Sequence, residues 1–394
     1  MHPRFDRNDY DQIYSKYFEA LVAGGIVRAD PSGWAHSETE VEISVPAIVS
    51  SRELAGYLID NRNLIAARKQ VILHLVERWD DTTYQYDDIT LVPSISSASF
   101  AVLLLLKSLE VGSVYFETPA YYATFAQAYS IGLRTRKIPS DHSDNYEWDI
   151  GSIPRHRSNP IAIWLTQPRY GLGTNQSVSR VRALLGSIGP KDFVVVDESA
   201  DQAWPTFLSD IVTNSSNHQF IRIRGFTKPL GLNAIRMAVI IHTSCWRRAL
   251  REALWTVGGA LDHYSLAAAV HMAQQPELFC SMLVAARHRV HTVHRRLSTL
   301  SVDQILTLSP MENGYLGSAI LSWNKTHGNR TTRRNNLLEF CRELRMPVTL
   351  GAAMLFAHDN MRERIRLNYF MPASDLEFCI KGLIAYSKPF DAAQ

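Results

Sequence analysis

Lys228 and Arg236 stand eight positions apart in the stretch IRIRGFTKPLGLNAIRMAVII. Segments 221–226 and 235–241 are rich in isoleucine and other apolar residues, as β-strands are. Pro229, Gly231 and Asn233 between them are turn formers. The spacing predicts a strand, a tight turn carrying the lysine, and a returning strand carrying the arginine. A lysine amine held out of water condenses with an aldehyde to a Schiff base, and a planar guanidinium grips a phosphate dianion. Pyridoxal phosphate is one molecule that carries both groups. Most lysines beside a turn are simply solvated, so this chemistry depends on what the rest of the chain brings to Lys228.

Three further apolar segments supply the frame: 113–116, 161–165 and 193–196. Each ends in polar residues, respectively Thr118-Pro119 with Tyr121 and Tyr122 behind, Gln167 to Tyr170, and Asp197-Glu198. Strands alternating with helical stretches predict an α/β sheet, mostly parallel. Ligands of such sheets sit at the carboxyl ends of the strands, so Tyr121, Tyr170, Asp197 and Lys228 should gather along one edge. Segment 94–109, SISSASFAVLLLLKSL, is a helix apolar nearly all round and therefore buried. Its first turn offers N–H groups and the hydroxyls of Ser96 and Ser97, a seat for a phosphate. Serine also caps helices, and plain capping is the other reading. Asp197 is either a solvated loop acid or, facing a pyridine nitrogen, the charge that keeps that nitrogen protonated and the ring an electron sink.

The 394 residues suit two domains, and a net charge of +3 suggests neither a nucleic-acid partner nor a membrane. The cysteines, Cys245, Cys280, Cys341 and Cys379, are too scattered for a zinc site or a disulfide framework, so no metal is expected. The first residues, MHPRFDRNDYDQ, lack the apolar core of a signal peptide, and the aliphatic run 101–106 is too short to span a bilayer. A soluble, cytoplasmic protein is the expectation. The GLG at 171–173 lacks the rest of a dinucleotide fingerprint. Further helices are predicted over 10–22, 53–79, 263–275, 277–300 and 333–344, with a strand over 317–323 and a closing segment at 374–384. RHRVHTVHRR is taken as a solvated helix face.

The order of these blocks resembles the fold-type I pyridoxal-phosphate enzymes, in particular the class I/II aminotransferase family. The matching stretches are TPAYYATF, TQPRYGLGT, VVVDES, GFTKPLGLNAIRMAVI and RIRLNYF, with YLIDNRNLIAAR a looser match, together covering roughly residues 50 to 390. The resemblance implies a large domain over 51–285, its mostly parallel seven-stranded sheet sandwiched by helices. A smaller α/β C-terminal domain would follow over 286–394, joined by part of an arm over 1–50. It implies pyridoxal 5'-phosphate as cofactor, with Lys228 forming the Schiff base and moving the proton. Thr227, Arg236, Ser96 and Ser97 would hold the phosphate, Tyr121 would stack on the ring, and Asp197 would pair with its nitrogen. Arg366 would bind a substrate α-carboxylate, while its neighbour Arg364 reads as solvent-facing. Tyr57 matches a residue that reaches the phosphate of the neighbouring subunit, so a homodimer is implied. The substrates would be an amino acid and possibly a 2-oxo acid.

The departures bear on the chemistry. The family's asparagine donor to the cofactor's phenolic oxygen is here Tyr170, and its tyrosine donor three residues after the aspartate is Ala200. The serine three residues before the lysine is Gly225, and the glycine of the phosphate loop is Ile95. The Tyr170 hydroxyl is the candidate replacement for the lost donors, since Ala200 makes room as Tyr170 adds bulk. Amino transfer is the expected reaction. A lyase, cyclase or oxidase of a specialised biosynthetic pathway stays open, and so does a non-catalytic relative. Trp34, Tyr122 and Tyr170 are candidates to line the side-chain pocket.

Overall fold

The isoleucine- and valine-rich runs form the middle of a sheet. In the computed structural model, which describes residues 16–33, 62–138, 140, 147–153, 159–214, 220–233, 235–257, 261–302, 305–323, 329–356 and 361–387, seven strands pair side by side. They are β1 (Ile89–Val92), β2 (Ser113–Phe116), β3 (Thr135–Lys137), β4 (Ile161–Thr166), β5 (Phe193–Asp197), β6 (Phe220–Gly225) and β7 (Ala238–Ile241), in the order β1-β7-β6-β5-β4-β2-β3. All neighbours from β6 to β3 are parallel, and β7 runs antiparallel to both of its partners. Every residue of β4, β5 and β6 is buried, which explains why they read as unbroken apolar runs rather than alternating ones.

Helices cover both faces. Alternate side chains of β5 enter opposite cores. Val195 packs with α3 (Ile95–Ser108) and α7 (Arg247–Val257), while Val194 and Val196 pack with α5 (Val178–Ser187). A third cluster joins α2 (Arg62–Asp80) and α8 (His263–Ala273) to β7. The helix expected over 53–79 is described from Arg62 onward. Strands β1 and β3 were not anticipated: ITLV is only four residues, and TRK is three polar residues at the sheet's edge.

A second sheet, antiparallel in the order β10-β9-β8, is built from β8 (Leu306–Leu308), β9 (Leu316–Ser322) and β10 (Arg362–Asn368). It packs with α10 (Arg330–Glu343), α11 (Ala373–Ser387), the later turns of α9 (Pro276–Ser298) and Leu21 of α1 (Lys16–Ala23). The chain after α1 is tied to it, since Asn368 N donates to the Pro31 carbonyl at 2.9 Å and Arg28 N to the Arg345 carbonyl at 3.0 Å. The division expected at 285 falls inside α9. Phe279 and Leu283 belong to the large sheet's core, whereas Ala286, Val290 and Leu297 belong to the small one's.

Candidate active site

The carboxyl end of β6 leads into a short 3-10 turn, Lys228–Leu230, closed by Gly231 at φ 79°. That left-handed conformation costs glycine nothing and other residues about 1 kcal/mol or more. Thr227 Oγ1 donates to the Ile235 carbonyl at 2.6 Å and staples the turn to the returning chain. Lys228 is thereby aimed inward. Its Nζ donates to Ser199 Oγ at 3.2 Å and lies 5.9 Å from the Tyr121 ring centroid. Burial pushes the Lys228 pKa down; the Asp197 carboxylate opposes this, and the Arg366 and Arg236 guanidiniums add to it. An amine biased toward its neutral form is a nucleophile.

Lys228 opens on a cavity of about 330 Å³ whose walls include Ser94, Ser96, Tyr121, Thr227 and Arg236. Five of the residues expected from sequence thus line one hollow. It sits at the carboxyl end of the parallel strands, where N–H groups of α3's first turn and the exposed Arg236 side chain supply positive potential. The N-cap of α3 is Ser94, a residue sequence reasoning passed over. Ser94 Oγ accepts from Ser97 N at 3.0 Å and lies 2.9 Å from Ser97 Oγ. Ser97 is therefore engaged with the cap, and of the two expected serines Ser96 is the one that lines the cavity, beside Ser94. A larger hollow of about 540 Å³ lies at the opposite, amino ends of β4 and β5, beside Pro160 and Asp192. None of the expected site residues lines it.

Asp197, Tyr170 and Arg366 close in around Lys228 and Tyr121. Asp197 is 5% exposed, and its Oδ1 accepts from Ser199 N at 2.9 Å. The Tyr121 and Tyr170 rings lie 5.8 Å apart. Burial pushes the Tyr121 pKa up, reinforced by Tyr122 and Tyr170. Arg366, on β10 and 1% exposed, donates from Nη1 to the Tyr170 hydroxyl at 3.1 Å and from Nη2 to the Ser32 carbonyl. Ser32 Oγ donates in turn to the Arg366 carbonyl at 2.5 Å. Close by, burial pushes the Asp30 carboxyl up to about 6; Arg366 opposes this and Asp375 reinforces it. Arg364 corrects the sequence expectation. It is buried, donates to Ser318 Oγ at 3.1 Å, and lies 4.7 Å from the Phe356 ring centroid, because β10 is covered on that face. Tyr57 and Trp34 lie outside the described residues.

Two of the sequence departures explain each other. A Cβ placed on Gly225 would stand 3.1 Å from Ile95 Cδ1 and 3.2 Å from the Ser199 carbonyl oxygen. Ile95 has taken the space that a side chain at 225 would need, a volume exchange across the cavity floor. Gly225→Ser should accordingly cost about 1 kcal/mol of stability, and Ile95→Ala in the same chain should relieve part of it. Urea unfolding of the two single variants and the double variant checks this, and strictly additive costs would disprove the exchange.

Beneath the site lies a buried charge cluster that sequence reasoning missed. Arg222 and Arg224 project from one face of β6. Arg222 reaches Asp80 at 2.8 Å and Glu198 at 2.8 Å; Arg224 reaches Asp80 at 2.5 Å and Glu198 at 3.0 Å. Burial alone would push the Asp80 carboxyl up, but the two guanidiniums hold it below the usual carboxylate range. Two signals were present in the sequence. One is arginine at alternate positions of an otherwise apolar strand. The other is an acid as the last residue of helix α2, the wrong sign for the helix dipole.

No sequence-family model matches the chain, and no curated protein matches it. Solved structures do. A Thermus thermophilus aspartate aminotransferase double mutant aligns with a TM-score of 0.73 at 13% identity, covering 98% of this chain and 97% of that one. The Thermotoga maritima aspartate aminotransferase gives 0.69 at 13% identity, with 96% and 98% covered. An aromatic aminotransferase from Pyrococcus horikoshii gives 0.68 at 12% identity, with 98% and 93% covered. Identities this low speak for architecture, and the architecture agrees over nearly the full length of each chain. The chain has the aminotransferase fold, that of the fold-type I pyridoxal-phosphate enzymes.

Proposed function

We propose that the protein is a pyridoxal-phosphate-dependent enzyme acting on an α-amino acid, and that its reaction is amino transfer to a 2-oxo acid. The observation that carries this reading is the meeting of Lys228, Arg236 and the first turn of α3 on one cavity, with Asp197 and Arg366 within electrostatic reach of the amine. An amine at one end and a guanidinium with helix N–H groups at the other form the donor set that an aldehyde-bearing phosphate ester requires. Bound there, the cofactor supplies an aldehyde and a ring that draws electrons from the amino acid's α-carbon.

The protein's own groups do the rest. Arg236, Thr227 and Ser96 would hold the phosphate end, Tyr121 would cover the ring, and Asp197 would place negative charge behind it. Arg366 presents a buried fork to the substrate carboxylate, a bidentate task that a lysine ammonium performs poorly. Lys228, once released, is the base that carries the α-proton. The Tyr170 hydroxyl accepts from Arg366, which leaves its own proton to donate to the cofactor's phenolic oxygen in place of the donors absent at 170 and 200. A second copy of the chain completes the assembly in this reading. Tyr264, exposed and next to the Ser265 hydroxyl that accepts from Arg236 N at 2.9 Å, offers it an aromatic face.

The test is to add pyridoxal phosphate to the purified protein and follow a panel of amino acids with a 2-oxo acid by mass spectrometry, with Tyr170→Phe alongside. Exchange of the amino group between one donor and the oxo acid is the expected result. The Tyr170→Phe protein should show an altered pH titration of the cofactor's visible band, and an unchanged one would remove Tyr170 from the account. Ammonia release or oxygen uptake without exchange would move the reading to a lyase or oxidase. No cofactor band at all would end it.

A further inference from the structure

We infer that the Ser199 hydroxyl positions the Lys228 amine, holding it in the cavity whenever its nitrogen carries no carbon other than its own Cε. The inference rests on the reading of Lys228 as the reacting amine, and it concerns a residue that the sequence did not single out. Lys228 Nζ lies 3.2 Å from Ser199 Oγ. Ser199 is buried and cannot drift. Its N–H is held by Asp197 Oδ1 at 2.9 Å, its chain continues from the clamped Glu198, and its carbonyl lies against the floor formed by Gly225. Lysine has the long flexible stem, so lysine is the partner that moves and serine the fixed post.

A hydroxyl suits this task because it serves both protonation states of the amine. It accepts from the ammonium and donates to the neutral nitrogen's lone pair. Other groups near Lys228 are one-sided: Asp197 from the end of β5 and the face of the Tyr121 ring, 5.9 Å away, favour the ammonium, while Arg236 and Arg366 disfavour it. The charge-assisted bond to the ammonium is the stronger of the two. Loss of the hydroxyl therefore penalises the charged form more. The contact to Asp197 is made by the main chain, so Ser199→Ala removes the hydroxyl and leaves that contact in place.

The experiment is competitive acetylation of the full-length protein without added cofactor, over a pH series, with Lys228 followed in its own peptide by mass spectrometry. In the Ser199→Ala protein the midpoint of Lys228 reactivity should fall by about 0.5 to 1 pH unit relative to wild type. Ser199→Thr, which keeps the hydroxyl, should restore most of the shift. A purely structural serine would not produce that pattern. Equal midpoints in wild type and Ser199→Ala would overturn the inference. Should the alanine variant fail to fold, Ser199→Cys, close in size but a weaker acceptor, provides the same comparison. The readout needs no pyridoxal phosphate, so a protein that never binds the cofactor would refute the proposed function while leaving this comparison decisive for Ser199.

Discussion

Lys228→Ala is expected to abolish amino-group exchange, lowering turnover by at least about 10⁴-fold, and to leave no borohydride-stable cofactor attached to the protein. The amine contributes twice, as the nucleophile that takes the aldehyde and as the base that moves the α-proton. Asp197, Arg236 and Arg366 remain in the variant, yet none can take both roles, since a guanidinium stays protonated and a carboxylate, though it can accept a proton, forms no Schiff base. Lys228→Arg retains the positive charge and should fall as far, which separates nucleophilicity from charge. Stability should hardly change. Burial already disfavours the ammonium of Lys228, so its loss removes little favourable interaction. A variant that keeps both its melting temperature and its turnover would contradict the assignment.

Asp80→Asn should destabilise the fold by about 3 to 5 kcal/mol, because it leaves two buried guanidiniums sharing a single carboxylate. Urea unfolding followed by tryptophan fluorescence reads this directly, since Trp79 neighbours the cluster and Arg224 lies 4.5 Å from its ring centroid. The same change should loosen the corner that carries Asp197 and Ser199, so a lower affinity for cofactor should accompany the lost stability. The sign with pH follows from the depressed Asp80 pKa. Its contribution is present in full above the unfolded-state value of about 4 and is lost only as pH falls below the usual carboxylate range. An Asp80→Asn protein as stable as wild type would mean that the two arginines find other partners.

The residues legible in the sequence were those that follow apolar strands. Asp197 after VVV, Tyr121 after the threonine-proline pair and Lys228 on its proline-glycine turn each stand where an interior element stops, and the charge or aromatic ring is visible against the apolar run. Partners across space were less legible. Asp80 and Arg222 are 142 positions apart, and Arg366 meets Ser32 across 334. No local pattern couples such pairs. Ser199 escaped notice because serine beside an acid looks like loop chemistry, and only the approach of Lys228 from another strand gives it a role. Arg364 was misjudged for a related reason. Alternation along β10 places it on the same face as Arg366, and that face is covered by the chain around Phe356. The exchange between Ile95 and Gly225 was visible as two separate oddities and became one feature only when their side-chain spaces were seen to overlap.

Lys228 belongs to the large sheet and Arg366 to the small one. In the proposed enzyme, the atom that reacts and the atoms that recognise the acid are therefore anchored in separately cored bodies, joined through α9 and the loop around Tyr170. The two are pinned where Asn313, between β8 and β9, donates to Asp201 Oδ1 at 2.7 Å and accepts from Gln202 N at 3.0 Å, so a change in one body spares the other where that junction is kept. A lineage, or a protein engineer, can redraw the acid-recognising layer by grafting a relative's β8 to β10 region and keep the reactive corner whole. Descent would then leave a mosaic, with the lysine corner recording the shared chemistry and the small sheet recording each branch's diet.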